Sequence, residues 1–239
     1  MTAVSAFAQC EKQFFTRMQA CGFEPSVIYD VGAAHGCWSA VIAEVFPEAQ
    51  FELFEPLAGR DPVYRRELDR RLESHPNFRL HEFAVGDRNG EADFWCMPSA
   101  VASSLLAQSA PRDQRIKVPV RRLDDAVAAL GLPQPQLIKM DIQGGEALAI
   151  SGGVKTVVQA DMLHLETWLR RGYGKPTPLL PELMDGLRPL GFVLVHLGDF
   201  YREDHQELAS VDAFFAHARL IERLRAGGGE FPWPAAWEA

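Results

Sequence analysis

The sequence predicts an α/β domain: a mainly parallel sheet with helices on both faces and a β-rich insertion. Three observations carry this. Short apolar runs rich in strand formers, Val27 to Tyr29 and Phe51 to Phe54, flank a segment with Trp38, Val41, Ile42, Val45 and Phe46 at helical spacing, which is the pattern of a βαβ unit. Both strand-like runs end in an acid beside a turn former, as Asp30-Val31-Gly32 and Glu55-Pro56. The stretch 87–123 interrupts the alternation with a turn signal, Asp87-Arg88-Asn89-Gly90, between strand-like runs. At 239 residues, 47% hydrophobic and 23% charged, the chain has globular composition and buries a large core without staples. Wholesale disorder, a collagen-like repeat and a small disulfide scaffold are excluded.

The elements follow in order. Phe7, Phe14, Met18 and Cys21 share one face of an N-terminal amphipathic helix, stopped by Gly22. After the βαβ unit, Asp61-Pro62 caps and opens a helix with Tyr64, Leu68 and Leu72 on its face. Phe78 to Val85 reads as a third strand, Glu91 to Met97 and Lys117 to Leu123 as two more, and Ser99 to Pro111, small and polar, as a lid loop between them. Asp124 is expected to cap a short helix from Asp125 to Leu130, ended by Gly131-Leu132-Pro133. Leu137 to Met140 is a strand ending at Asp141, and Glu146 begins a helix. Met162 to Leu165, Phe192 to Leu197 and Val211 to Phe215 read as strands, with a helix over 179–190. The organisation is therefore an N-terminal helical extension (1–26), one α/β domain (27–226) containing the 87–123 insertion, and an irregular tail (227–239). The tail carries Phe231, Trp233 and Trp237, which could cover a pocket or a homo-oligomer interface.

Cys10, Cys21, Cys37 and Cys96 form no CxxC pair, which argues against a structural zinc site. With 24 Lys+Arg against 32 Asp+Glu the net charge is −8, so a dominant nucleic-acid surface is not expected. Glu11, Lys12 and Arg17 interrupt the first apolar stretch, and no apolar run reaches the length of a membrane span. A soluble cytoplasmic protein with unpaired thiols is the expectation.

The chemistry begins at the first strand end. The loop reads D-x-G-x-x-x-G over Asp30, Gly32 and Gly36. A dinucleotide fingerprint needs a second glycine for close pyrophosphate approach, and Ala34 stands there. A nucleoside ligand without phosphate, such as S-adenosylmethionine (SAM), fits better, with Glu55 placed to accept both ribose hydroxyl protons. A nicotinamide oxidoreductase is the alternative that Ala34 opposes.

Further segments make the reading specific: Ala84-Val85-Gly86-Asp87, Ser103-Ser104-Leu105, Arg122-Leu123-Asp124, and Ile138-Lys139-Met140-Asp141-Ile142-Gln143-Gly144-Gly145-Glu146, a K-x-D-x-x-G-x-E pattern. With Tyr29 to Ala33 and Phe54 to Pro56, these make the chain resemble the FkbM family of SAM-dependent methyltransferases, from about Val27 to Phe215. Gly145 stands where the family commonly has alanine. The resemblance implies a Rossmann-like class I methyltransferase fold with seven strands, the last antiparallel. It implies that Asp30, Gly32, Ala33 and Gly36 line the methionine end of SAM, that Glu55 with Pro56 holds the ribose, and that Glu82, Phe83 and Ala84 border the adenine. Ser104, from the S-S-L signal, joins the expected cofactor residues. Trp38 packs either on the cofactor or in the core. The product is S-adenosylhomocysteine, and the acceptor implied is the hydroxyl of a sugar or other small molecule, including a natural product.

A hydroxyl is a poor nucleophile near pH 7 and needs a base or a metal. Asp141 could take its proton, hold the SAM amino group or bind a divalent ion. His164 and Glu166 share a strand face by alternation and are candidates for a relay with Asp141. A metal held by these three is not favoured, and His164 can equally be a satisfied core histidine. Lys139, in a buried strand, is expected to pair with an acid, and Glu146 to suit the dipole of its helix start. Arg170-Arg171-Gly172-Tyr173-Gly174 could bind an anionic acceptor or be a solvated cluster. A non-catalytic SAM-binding protein would lack these acceptor-side groups.

Overall fold

The structure, a computed structural model, describes residues 4–97, 100–106, 115–202 and 207–232. The chain runs α1 (Val4–Ala20), β1 (Val27–Val31), α2 (Cys37–Ala43), β2 (Gln50–Phe54), α3 (Pro62–Ser74), β3 (Phe78–His81), β4 (Ala84–Gly86), β5 (Gly90–Trp95), β6 (Arg115–Arg122), α4 (Leu123–Leu130) and β7 (Leu137–Met140). It continues through α5 (Glu146–Gly152), α6 (Val154–Val157), β8 (Met162–Trp168), α7 (Leu180–Leu187), β9 (Phe192–Arg202), β10 (Leu208–His217) and α8 (Ala218–Ala226).

Seven strands form one sheet in the order β3-β2-β1-β7-β8-β10-β9, and three form a second, β4-β6-β5. In the large sheet, β10 is antiparallel to both neighbours and the other pairings are parallel. Strand order reverses between β1 and β7, the switch point where such sheets take ligands at their carboxyl ends. Central strands are buried along their length, as a sheet covered on both faces requires. Ile28, Leu137, Met162 and Phe214 face Phe14, Phe15 and Met18 of α1 together with Ile42 of α2. Tyr29, Ile138, Leu163 and Phe215 face Leu123 and Val127 of α4, Ala149 of α5 and Leu187 of α7.

Several local expectations hold for their stated reasons. Gly22 stops α1 at a φ of +96°. Asp61 caps α3, its Oδ1 accepting from the amides of Val63 at 2.7 Å and Tyr64 at 3.1 Å.

Three elements differ. Residues 78–85 are not one strand. A tight turn, in which Phe83 N donates to His81 O at 3.0 Å, ends β3 in the large sheet and sends β4 into the small one. Asp124 does not cap its own helix, which begins at Leu123 after Arg122. Its Oδ1 instead accepts from Thr156 N and Oγ1, both at 2.8 Å, and its Oδ2 from Lys155 N at 3.1 Å. It thereby holds the start of α6 from another helix. Helix α8 was not anticipated. His217 Nδ1 accepts from Arg219 N at 3.2 Å at its start, and Leu220 and Leu224 are buried.

The small sheet docks on the large one through α5. A side chain on Gly152 would meet Gly86 O at 1.9 Å, so backbone lies directly on backbone there. Of the expected lid, Ala100–Ala102 forms a 3-10 turn and Ser104 bridges to Trp95. Residues 99 and 107–111 lie outside the described residues, as do Trp233 and Trp237. Phe231 is buried in the core. No helix among the described residues is long and apolar enough to cross a membrane.

Candidate active site

The glycine loop after β1 is locked from beneath. Gly32 has a φ of +80°, and a Cβ there would stand 2.1 Å from Asp141 O, so only glycine lets β1 and β7 end so close together. Asp30 is fully buried under the loop. It accepts from Ser39 Oγ at 2.6 Å and from Lys139 Nζ at 3.0 Å, and the same ammonium donates to Gly32 O at 3.1 Å. Burial opposes the Lys139 charge, but Asp30 and Asp141 outweigh it and raise its pKa. The expected acid partner of Lys139 is thus Asp30, and Asp30 braces the loop without reaching the cleft above it. Gly36, at a φ of +70°, starts α2, and Ala33 packs in the core. Neither is on the cleft wall.

Four of the loop amides are bonded internally. Gly32 N and Ala33 N donate to Phe54 O at 3.0 and 3.2 Å, Ala34 N to Glu55 Oε2 at 2.9 Å, and Gly36 N to Ala33 O at 2.7 Å. A phosphate cradle needs such groups free, so this loop suits a ligand without phosphate.

A cleft opens between the strand ends and the small sheet. Its floor has Gly32, Ala34, Glu55, Pro56 and Asp141, and its far wall includes Ala84, Val85, Phe94, Ser103 and Leu105. Glu55 accepts from Leu57 N at 2.8 Å through Oε1, in addition to Ala34 N through Oε2. Burial pushes this carboxyl up to about 7, with the two amides pulling the other way. One acceptor site per oxygen remains for a diol at the cleft. Glu82 turns away to an ion pair with Arg65, and Phe83 packs on Phe54 with Arg121 over its ring at 4.9 Å. Of the three expected adenine neighbours, only Ala84 faces the cleft. Ser103 takes the wall position expected of Ser104. Ser104 Oγ instead donates to Gln143 O at 2.8 Å and accepts from Leu106 N at 2.9 Å. Trp38 is in the core against Phe15 and His164.

Asp141, with a side chain 41% exposed, stands where the cleft meets a second polar group. Gln143 Nε2 donates to Asp141 Oδ1 and to Glu166 Oε2, each at 2.8 Å, and Tyr173 Oη donates to Gln143 Oε1 at 2.6 Å. Two acids on one side and a phenol on the other fix the amide orientation. Ser210 Oγ donates to Glu166 Oε1 at 3.2 Å. Burial raises the Glu166 pKa well above the usual range, and the charges of Asp141, Glu146 and Asp212 add to it. Glu146, fully buried at the start of α5, accepts from Ile142 N at 3.1 Å. Burial pushes it up to about 8.

The structure thus brings Asp141 and Glu166 together and leaves His164 out. Strand rise explains the difference: two residues along a strand is about 7 Å, which places His164 a layer deeper, between Trp38 and Phe214. Gln143 and Tyr173 were not anticipated as site residues. The residue pattern gives no sign that Gln143, inside a glycine turn, adopts a φ of +56°. Arg171 bonds to Thr177 O at 2.6 Å in its own loop and pairs with Glu182 of α7.

Comparisons with known proteins bear on the family and the fold. The model of the methyltransferase FkbM domain matches residues 30–194. The chain is 30% identical to the 2-O-methyltransferase NoeI of Sinorhizobium fredii (strain NBRC 101917 / NGR234), across 73% of this chain and 72% of that protein. Among solved structures, methyltransferase FkbM from Methylobacillus flagellatus KT superposes with a TM-score of 0.52 at 19% identity. The match covers 78% of this chain and 43% of that one, so the chain spans less than half the length of that relative. Parallel sheet, switch-point cleft, strand-end acids and family match converge: the chain belongs to the FkbM family of SAM-dependent methyltransferases.

Proposed function

We propose that this methyltransferase acts on oxygen, methylating a hydroxyl of a sugar or comparable small molecule, with Asp141 as the base. The observation that carries the reading is the position of Asp141: half-exposed, on the floor of the cofactor cleft, and tied through Gln143 to Glu166. The name of the 30%-identical relative, a 2-O-methyltransferase, supports oxygen as the acceptor atom.

The residues fit SAM. Glu55 offers its remaining acceptor sites to the ribose, Gly32 and Ala34 present a phosphate-free loop to the methionine end, and Ala84, Val85 and Phe94 supply apolar wall for the base. When bound, SAM supplies an activated methyl group. The protein's own task is to align the acceptor and take its proton. Burial of Glu166 makes it the member of the acid pair that keeps a proton, leaving Asp141 to accept the one from the hydroxyl. Gln143 holds the Asp141 carboxylate toward the cleft.

Calorimetry and turnover of Asp141→Asn test the assignment. Turnover should fall by about 10²–10⁴-fold, while SAM affinity changes by less than about tenfold. Near-normal turnover would remove Asp141 as the base. Lost affinity with surviving turnover at saturating SAM would make it a ligand of the SAM amino group.

A further inference from the structure

Helix α1 lies outside the segment matched by the family model, yet it sends a carboxylate into the core. Glu11 of α1, His164 of β8 and Asp212 of β10 converge on the α1 side of the sheet. An oxygen of each acid lies 3.4 Å from His164 Nε2, and the three donor atoms are all within 4.8 Å of one another. His164 is 1% exposed and Glu11 7%. Among the described residues neither ring nitrogen of His164 has a hydrogen-bond partner. The 3.4 Å separations exceed the 2.7–3.2 Å of an N–H···O bond, and a buried imidazole left this way calls for a missing partner. The edge of a tetrahedron around Zn²⁺, with bonds of 2.0–2.1 Å, is roughly 3.4 Å. Two carboxylates and a neutral imidazole balance a divalent charge. The neighbouring Lys139 ammonium is already paired with Asp30. Phe214, stacked on the imidazole at 4.4 Å, and Trp38 form an apolar shell, and the Asp212 side chain, 22% exposed, gives an entry path.

We propose that Glu11, His164 and Asp212 bind one divalent transition-metal ion, with Zn²⁺ the best match to the donor set, and that the ion staples α1 to β8 and β10. The role is structural and does not depend on the assignment of Asp141. The test uses the full chain, stripped with EDTA, dialysed and titrated with Zn²⁺, Mn²⁺ or Mg²⁺. Elemental analysis should find one Zn²⁺ per chain, and at a hundredfold excess over Kd the Tm should rise by about 5–10 °C. Glu11→Gln and Asp212→Asn should each weaken Zn²⁺ binding by at least about tenfold while SAM binding persists. Asp212→Asn, at a partly exposed position, serves if Glu11→Gln does not fold. Wild-type protein that takes up no metal and shows no Tm shift overturns the proposal and leaves a histidine sharing protons with two acids. Variants that bind Zn²⁺ as tightly as wild type overturn it too, by placing the ion elsewhere.

Discussion

Gln143 combines a backbone cost with a side-chain task. A non-glycine residue at a φ of +56° costs about 1–2 kcal/mol, and what accompanies that cost is an amide bridging two acids. Gln143→Gly should therefore keep the folded state, since glycine adopts this backbone freely, but release Asp141 and Glu166. Turnover should fall by about tenfold or more with SAM affinity unchanged. Unaltered turnover would show that the bridge plays no part in the reaction. Glu55 yields a pH test. Burial pushes its carboxyl up to about 7, and only the ionised form could accept from both hydroxyls of a bound ribose. SAM affinity should weaken as pH falls below 7, approaching about tenfold per pH unit. In Glu55→Gln that dependence should vanish, and affinity should be lower by about 1.5–3 kcal/mol at pH 8. A pH-independent wild-type Kd in calorimetry would argue against a ribose contact. At this scale the residue pattern locates what ends a strand, as Glu55 and Asp141 do. It does not locate Gln143, Tyr173 or Ser103, whose roles depend on contacts between segments far apart in the chain.

Helix α5 shows how elements set one another's positions. Alanine in a helix is ordinarily better than glycine by about 0.5–1 kcal/mol. At Gly152 the sign should reverse, because the added methyl would meet Gly86 O at 1.9 Å. Gly152→Ala should lower stability by about 1–3 kcal/mol in denaturant unfolding and weaken SAM binding as well, because β4 carries the cleft wall. A stabilised variant would mean that the two sheets are not packed this tightly. Elements were legible where local chemistry decides them, as with the Asp61 cap and the Gly22 stop. They were not where a distant partner does. Phe78 to Val85 is continuous in strand formers, and its apolar pattern does not mark the point at which the chain changes sheets. Asp124 has the residues of a local cap but serves α6, a separate helix beyond β7 and α5. Helix α8 did leave a signal, Leu220 and Leu224 one turn apart ahead of Arg225.

For the whole molecule, burial lifts several acids to neutrality or above. Glu11 and Glu55 rise to about 7 and Glu146 to about 8, each chiefly through desolvation. An acid with a raised folded pKa binds its proton more tightly in the native state. Its contribution to stability is complete below the unfolded value near 4.5 and is lost as pH rises through the folded value. Every tenfold gain in proton affinity on folding is worth about 1.4 kcal/mol. Metal-free protein should therefore melt at a higher temperature near pH 5.5 than near pH 8.5, and Glu146→Gln, which mimics the neutral carboxyl, should flatten that slope. A Tm that rises with pH over this range would contradict the burial of these groups. The fold class was legible because parallel strands buried on both faces leave apolar runs, and because a switch-point loop leaves glycine and acid at fixed places. The depth of His164 was not, since alternation reports a face and not a layer.

The seat of α1 has a consequence for how the chain is made. Phe14 and Phe15 pack on Phe214 with ring centroids 4.3 and 5.7 Å apart, so helix α1 rests on β10, a strand made much later in translation. At roughly 5–20 residues per second, the helix waits some tens of seconds for its partner. Until then the helix lacks part of the packing of its apolar face, from which most helical stability comes. Its contacts with Trp38 and Phe46 can form early, but the face toward β10 stays uncovered until that strand is made. Closure of this side of the core is postponed until β10 has emerged.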